Sequence, residues 1–422
     1  MQPAQSNVQI GQQAQNLANH LELLRADGGL LLHNEWNTIK DEEELEQSEQ
    51  EKNQTKCRYG NSKCPDYTRV KLSGDKFIHA NWIPLYDDSK AIATQGPLPD
   101  TIDDFWGMIW EHNVQFIVML CDLEERGRQK CAKYWPEKDM GSNTFGGYKI
   151  TTEEESHLAH WSILKFRVET SYESREIHHI KFHCWPDCGV PEFPAPFLAL
   201  LERVPKTLET PLVVHCSAGL GRTGCFLLAW SLLKQADSEG KIESARILRE
   251  MRRNRPGLIQ SEEQYLFVLE SVVEALNSCA GDHPTLIAAK EIPNVIATLT
   301  KCDGEGTTGF DVEFKRLQNI SSFRARAQAA NLACNKSKNR LVNVLPYDSS
   351  RVYLRPIRGI EGSDYINASF VDGYKEKASY IATQAPMPNT TDDFWRMIWE
   401  YNVTMVVMLT KISELGREKA HR

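Results

Sequence analysis

The sequence predicts a mixed α/β (α+β) protein, on three observations. Phe116–Leu120 and Leu212–Val214 are short apolar runs of the length a buried strand needs. Pro196–Val204 and Thr223–Gln235 instead space their apolar residues as helices do. The pattern then begins again late in the chain. Ile92-Ala93-Thr94-Gln95 returns as Ile381-Ala382-Thr383-Gln384, Asp103-Asp104-Phe105-Trp106 as Asp392-Asp393-Phe394-Trp395, and Met108-Ile109-Trp110-Glu111 as Met397-Ile398-Trp399-Glu400, all at one offset. Two copies at so long a period mean tandem domains rather than a solenoid. The second copy stops at Arg422, early in its own pattern.

In chain order, residues 17–40 read as a short amphipathic helix stopped by Gly28-Gly29, with a second short segment after it. Residues 41–56 open on Asp41, Glu42, Glu43 and Glu44 and read as a solvated linker. Strands and helices alternate from Arg58 to Asn277, and 278–308 is a mixed connector ending in a Gly-rich turn. The formal net charge of −8 argues against a nucleic-acid partner. No apolar run reaches the ~18–20 residues a bilayer span needs, and Gln2–Gln15 is too polar for a signal peptide. A cytoplasmic chain is expected, with a membrane involved only through a span upstream of Met1.

The 11 cysteines are odd in number and hold no Cys-x-x-Cys pair, so reduced thiols are expected rather than a disulfide framework. His178, His179, His183 and Cys184 come nearest to a metal cluster. If Glu176–Trp185 is a strand, His179 and His183 share one face and His178 takes the other, so no metal is expected there.

Chemistry concentrates in Val213-Val214-His215-Cys216-Ser217-Ala218-Gly219-Leu220-Gly221-Arg222-Thr223-Gly224, between a buried strand and a helix. A loop in that position aims backbone N–H groups at one point, and the helix dipole adds to the field. Such a cradle suits a tetrahedral oxyanion, and Arg222 can bring a planar fork to two phosphoryl oxygens. Cys216 lies in the middle, where the positive field favours thiolate over thiol. Thr223 can donate a hydrogen bond to its sulfur. A nucleotide-triphosphate loop is excluded, because no Gly-x-x-x-x-Gly-Lys run exists.

This run resembles the active-site loop of the protein tyrosine phosphatases, and other segments match in the family's order from about residue 17 to 277. Trp185-Pro186-Asp187 resembles the mobile general-acid loop, and Lys56-Cys57-Arg58-Tyr59 the phosphotyrosine-recognition loop. Gln260-Ser261-Glu262-Glu263-Gln264 resembles the water-positioning loop. Glu125 and Lys130-Cys131-Ala132-Lys133-Tyr134-Trp135-Pro136 resemble a further active-site loop. The tandem layout is similar to the receptor branch. Residues 17–40 resemble its juxtamembrane helical segment, and 312–417 the second domain of the LAR group.

The resemblance implies the tyrosine-phosphatase fold, a twisted mixed β-sheet flanked by helices. It implies a juxtamembrane-like segment and linker in 1–56, a catalytic domain in 57–277, a linker in 278–308 and a partial, inactive second domain in 309–422. It implies hydrolysis of phosphotyrosine in proteins, in signalling, through a cysteinyl phosphate and with no cofactor. Cys216 would be the nucleophile, with His215 and Thr223 beside it. Ser217, Ala218, Gly219, Leu220, Gly221 and Arg222 would hold the phosphoryl oxygens. Asp187 would be general acid and then base, and would contact substrate. Gln260, with Gln264, would orient water. Tyr59 would stack on the substrate ring and Asn61 hold its backbone. Trp185 would anchor the mobile loop, and Glu125 and Lys130 would form a charged pair.

Departures from the family pattern are Cys57, Cys188, Leu220 and the stretch Lys76–Trp82. A phosphotyrosine-binding pseudo-enzyme is the competing reading, and the presence of Cys216, Arg222, Asp187 and Gln260 speaks against it. Tyr59 and the tryptophan-containing acid loop speak against a phosphoinositide or dual-specificity phosphatase. Leu341 stands where the first copy has Tyr59, and 309–422 is expected to fold poorly alone, with Thr404–Leu409 as a strand exposing an apolar face.

Overall fold

The computed structural model describes residues 16–39, 46–86, 89–186, 189–279, 287–304, 306–318, 326–414 and 417–421. The acidic run Asp41 to Glu44 lies outside them. The chain divides into two compact units, residues 1–156 with 160–321, and 157–159 with 322–422. Among the described residues no helix is long and apolar enough to cross a membrane.

The first unit is built on eight strands: β1 (Ala80–Pro84), β2 (Lys90–Thr94), β3 (Phe116–Met119), β4 (Ser142–Phe145), β5 (Tyr148–His157), β6 (Trp161–Glu169), β7 (Ser174–Phe182) and β8 (Leu212–His215). They form one sheet in the order β1-β2-β8-β3-β7-β6-β5-β4. β8 runs parallel to β2 and β3, and β3 parallel to β7, while β1 with β2, β6 with β7 and β4 with β5 are antiparallel. The mixed sheet matches the expectation. Every residue of β8 is buried, which its continuous apolar run requires of a parallel strand covered on both faces.

The helices that bear on the site are α1 (Leu30–Thr38), α2 (Ile102–Glu111), α3 (Ala195–Leu201), α4 (Gly221–Glu239), α5 (Ser244–Asn254) and α6 (Glu262–Cys279). α4 buries Cys225, Phe226, Leu227, Leu228 and Leu232 and packs against β8, α5 and α6. α1 packs against α5 and α6, so the N-terminal segment is part of this unit.

Two details differ from the sequence reading. The strand expected over Glu176–Trp185 ends at Phe182, because the chain turns there to carry Trp185 into the core. His178 stacks on Phe116, His179 is buried against Tyr134, and His183 meets Ser162 beyond the strand, so the three do not gather. The connector 278–308 also contains a helix, α7 (Ile292–Leu299), started by Pro293 in its first turn.

The second unit holds a three-stranded antiparallel sheet of β9 (Arg351–Tyr353), β10 (Tyr365–Val371) and β11 (Tyr380–Thr383). Helix α8 (Thr391–Glu400) lies in the same unit, and Val352, Leu354, Ile366, Ala368 and Met397 form a small core. β10, β11 and α8 repeat β1, β2 and α2. Thr404–Leu409, expected as a strand, is not one. Its counterpart β3 is held between β7 and β8, and the described part of the second unit offers no such pair. Val407 and Leu409 are 70% and 92% exposed instead. Exposed contiguous apolar surface binds hydrophobic dyes. Val407→Lys combined with Leu409→Lys should therefore lower anilinonaphthalene sulfonate fluorescence of the folded chain. Unchanged dye binding would place the exposed patch elsewhere.

Candidate active site

The loop between β8 and α4 takes its shape from where its carbonyls go. Gly96 donates its N–H to Ser217 O at 2.9 Å. Arg255, fully buried, donates from Nη2 to Ala218 O at 3.0 Å and from Nε to Gly219 O at 2.8 Å. In a trans peptide the next N–H points away from the carbonyl. The N–H groups of Ala218, Gly219 and Leu220 are thus turned off the scaffold, toward the open side of the loop. Gly219 has φ +69°, and a Cβ there would run into the Thr94 carbonyl, so only glycine closes the turn. α4 begins at Gly221 and adds the positive end of its dipole.

Arg255 is held in turn by Asn81 Oδ1 at 2.6 Å and His79 Nδ1 at 3.1 Å. Both residues lie in Lys76–Trp82, the stretch that departs from the family pattern, so that departure sits directly beneath the loop. Sequence reading missed Arg255, and the polar His79 and Asn81 at the start of a buried strand were the available signal.

Cys216 is 5% exposed at the base of a cleft of about 570 Å³. Tyr59, Asn61, Glu125, Lys130, Ser217, Ala218, Leu220, Arg222, Gln260 and Gln264 line it too. Among the predicted positions, His215, Gly219, Gly221, Thr223 and Trp185 are not among its lining residues. Asp187, with Cys188, lies outside the described residues. Tyr59 Oη donates to Ser217 Oγ at 2.9 Å, and Ser217 Oγ donates to Lys130 O at 2.9 Å, which ties the three together at the rim. Gln260 N–H donates to Gln264 Oε1 at 2.8 Å. The two side chains crowd Gly221, where a Cβ would lie 2.8 Å from both Oε1 atoms.

The expected Glu125–Lys130 charged pair is present at 3.9 Å. The closer partner of Glu125 is Arg222, which donates from Nη1 and Nη2 at 2.5 and 2.8 Å. A planar fork matches a carboxylate in this bidentate way and an ammonium cannot. Both side chains are mostly buried, so loss of one partner costs about 3–5 kcal/mol rather than the little a surface pair is worth. Burial opposes the Arg222 charge, but Glu125 and Cys216 outweigh it and raise its pKa. Arg222 also donates to Leu120 O at 3.1 Å and Pro186 O at 3.2 Å. One expectation is corrected, at Thr223. Its Oγ1 is buried with no hydrogen-bond partner, so the expected bond to the Cys216 sulfur is not made.

Trp185 both packs and anchors. Its ring meets Phe197 and Phe267, and its Nε1 donates to Gly189 O at 3.2 Å across the two undescribed positions. His215 lies under the loop in a buried chain. Its Nδ1 faces Cys216 O at 3.2 Å and must donate, since a carbonyl only accepts. Burial drives its pKa down to about 4, so it is neutral and its Nε2 accepts from Tyr134 Oη at 2.9 Å. Tyr134 Oη then accepts from His179 Nε2 at 2.7 Å. Burial pushes the neighbouring thiols up, Cys131 to about 12 and Cys121 and Cys225 well above the usual value, which keeps them protonated.

The family model described as protein-tyrosine phosphatase matches residues 53–274 and 335–422. The receptor-type tyrosine-protein phosphatase S of Gallus gallus is 45% identical over 96% of this chain and 27% of that protein. The receptor-type tyrosine-protein phosphatase F of Homo sapiens is 43% identical over 96% of the chain and 22% of its own length. The tyrosine-protein phosphatase Lar of Drosophila melanogaster is 42% identical over 95% and 20%. The chain thus spans about a quarter or less of the length of these curated relatives.

Burial holds His79 near pKa 3, His215 near 4 and His179 well below the usual value. Below about pH 6.5 the unfolded chain binds protons that the folded one refuses, so stability is full above that pH and falls toward pH 4. Each such histidine contributes about 1.4 kcal/mol per pH unit in that window. Urea unfolding at pH 7.0 and 5.5 should show the loss. His79→Asn, which keeps an acceptor for Arg255, should make it smaller; the same pH slope in that variant would refute the assignment.

Proposed function

Because the chain belongs to the protein-tyrosine phosphatase family, we propose that its first unit hydrolyses phosphotyrosine in proteins through a cysteinyl phosphate on Cys216. The observation that carries this reading is the convergence on one cleft of Cys216, the outward-turned N–H groups of Ala218, Gly219 and Leu220, and Arg222.

The Cys216 sulfur attacks phosphorus as the bond to the phenolic oxygen breaks. Loop amides and Arg222 take the charge on the equatorial oxygens. Arg222 enters already oriented by Glu125, so little ordering is left to do during reaction. The departing phenolate has a pKa near ~10 and needs a proton, which Asp187 supplies. Its neighbour Pro186 has its carbonyl on Arg222, and this supports a loop that closes over the bound phosphate. Water held by Gln260 and Gln264 then attacks phosphorus. Asp187 takes the water proton, sulfur leaves as thiolate, and inorganic phosphate is released. Tyr59, tied at the rim, stacks on the substrate ring and sets a depth that phosphoserine cannot reach. Asn61 holds the substrate backbone, and the buried Tyr134–His215 chain fixes the base of the loop.

Residues 57–277 supply this chemistry, with 1–56 as the juxtamembrane-like helical segment and linker and 278–308 as the connector. Residues 309–422 act as a second domain without catalysis, since Leu341 stands where the first copy has the stacking Tyr59. The similarity to receptor-type tyrosine-protein phosphatases supports reading the chain as part of a receptor; we place it on the intracellular side, acting in signalling on phosphotyrosine proteins.

Cys216→Ser should abolish turnover of para-nitrophenyl phosphate while phosphotyrosine peptides still bind, because Arg222 and the amides remain. A Ser variant that still turns over rules out the thiolate mechanism.

Asp187→Ala should lower kcat for tyrosyl phosphates by ~10²–10⁴. The loss should shrink as the leaving group becomes more acidic. Equal losses across leaving groups would show that Asp187 is not the proton donor.

A further inference from the structure

Ile259, the residue before Gln260, has φ +60°. A β-branched residue in the left-handed region is an outlier that persists only where its surroundings fix it. Arg252 does the fixing. It is 7% exposed and donates from Nη2 to Ile259 O at 2.7 Å and from Nε to Leu258 O at 2.9 Å. Its Nη1 leaves this loop altogether and donates to Ile39 O at 2.6 Å. The guanidinium also lies over the Trp36 ring, 4.8 Å from its centroid, a cation–π contact that aims the whole fork.

The N-terminal segment is secured on the far side as well. Trp36 meets Tyr265 at 6.0 Å between ring centroids, and Tyr265 Oη donates to Glu35 Oε1 at 2.6 Å. Glu35 Oε2 pairs with His20 Nε2 at 3.1 Å. His33 Nδ1 meets Glu262 Oε1 at 2.7 Å, two residues past Gln260. The segment therefore holds the chain on both sides of Gln260: through Arg252 before it, and at the start of α6 after it. The Cys216 cradle is shaped mainly by other groups, Arg255 and Gly96, and meets this loop where Ile259 N–H donates to Leu220 O at 3.3 Å.

We propose that Trp36, with the Ile39 carbonyl, is a positioning residue for the hydrolysis of the cysteinyl phosphate. Acting through Arg252, it sets the Ile259 backbone and so the direction from which Gln260 presents water. Formation of the cysteinyl phosphate does not depend on it. This rests on the water-positioning role proposed for Gln260. Residues 16–39 are on this account part of the second chemical step, although none of them lines the cleft.

Stopped-flow release of nitrophenolate from para-nitrophenyl phosphate separates the two steps. The burst and kcat/KM report formation of the phosphoenzyme, and the linear phase reports its hydrolysis. The whole chain is used, with melting temperatures taken for each variant. Trp36→Ala should lower kcat about tenfold, the scale expected of a slightly misplaced reacting group. It should leave kcat/KM unchanged and produce a burst approaching one equivalent. Trp36→Phe, which keeps a ring under the guanidinium, should restore most of the linear rate. Arg252→Lys, which cannot span the three carbonyls, should repeat the Trp36→Ala pattern and serves if that variant folds poorly. Parallel losses in kcat and kcat/KM, or no loss in either, would overturn the proposal. Gln260→Ala is the reference. If it leaves the linear phase intact, the role of Gln260 itself fails. If it slows that phase while Trp36→Ala does not, the N-terminal segment is merely structural.

Discussion

The cleft depends on a cation that never enters it. Arg255 is fully buried, and a buried charge is tolerated only when its donors are well satisfied. Asn81, His79 and the carbonyls of Ala218 and Gly219 do this. The same bonds fix which way the peptide planes of the loop face, so satisfying the charge and turning the next N–H groups outward are one event. His79 must stay neutral to accept from Arg255, which is why burial and the guanidinium both push its pKa down. The pH dependence of folding and the shape of the loop therefore share a residue.

Arginine forks recur around the site with separate duties. Arg255 orders the carbonyls of the Cys216 loop, Arg252 those of Leu258 and Ile259, and Arg222 is itself ordered by Glu125. Each works by geometry as much as by charge, since a planar fork reaches acceptors spread over separate segments that the compact ammonium of a lysine cannot span. The division lets the two halves of the site be fixed by different parts of the chain: β1 for the cradle, the N-terminal segment for the loop at Gln260.

Local pattern made the apolar strands, the long α4 helix and the Cys216 loop legible, because each is a short-range signal in one stretch. Partnership was much less so. Nothing within Arg252-Arg253-Asn254-Arg255 tells which guanidinium is buried under the loop; the answer lies in β1, far away in sequence. The Glu125–Lys130 pair lies within one short stretch, whereas the closer partner of Glu125, Arg222, is almost a hundred residues on. Thr223 follows Arg222 as the pattern asks, yet its hydroxyl finds no acceptor in this arrangement. Thr404–Leu409 has strand-forming residues, but strand formation is settled by a neighbour to pair with and not by propensity. The end of β7 at Phe182 was lost for a similar reason, because the pull of Trp185 into the core is a tertiary effect.

The repeat places nearly the same residues in two environments. Trp106 is fully buried, whereas Trp395 at the same position of the second copy is 61% exposed and Trp399 is 84% exposed. None of the tryptophans of the first unit is exposed to that degree. Indole emission shifts to the red in water and is quenched by dissolved acrylamide, so the units occupy different optical channels. Red-edge emission follows the second unit and blue-edge emission the first, and the chain reports the integrity of each half without any added label.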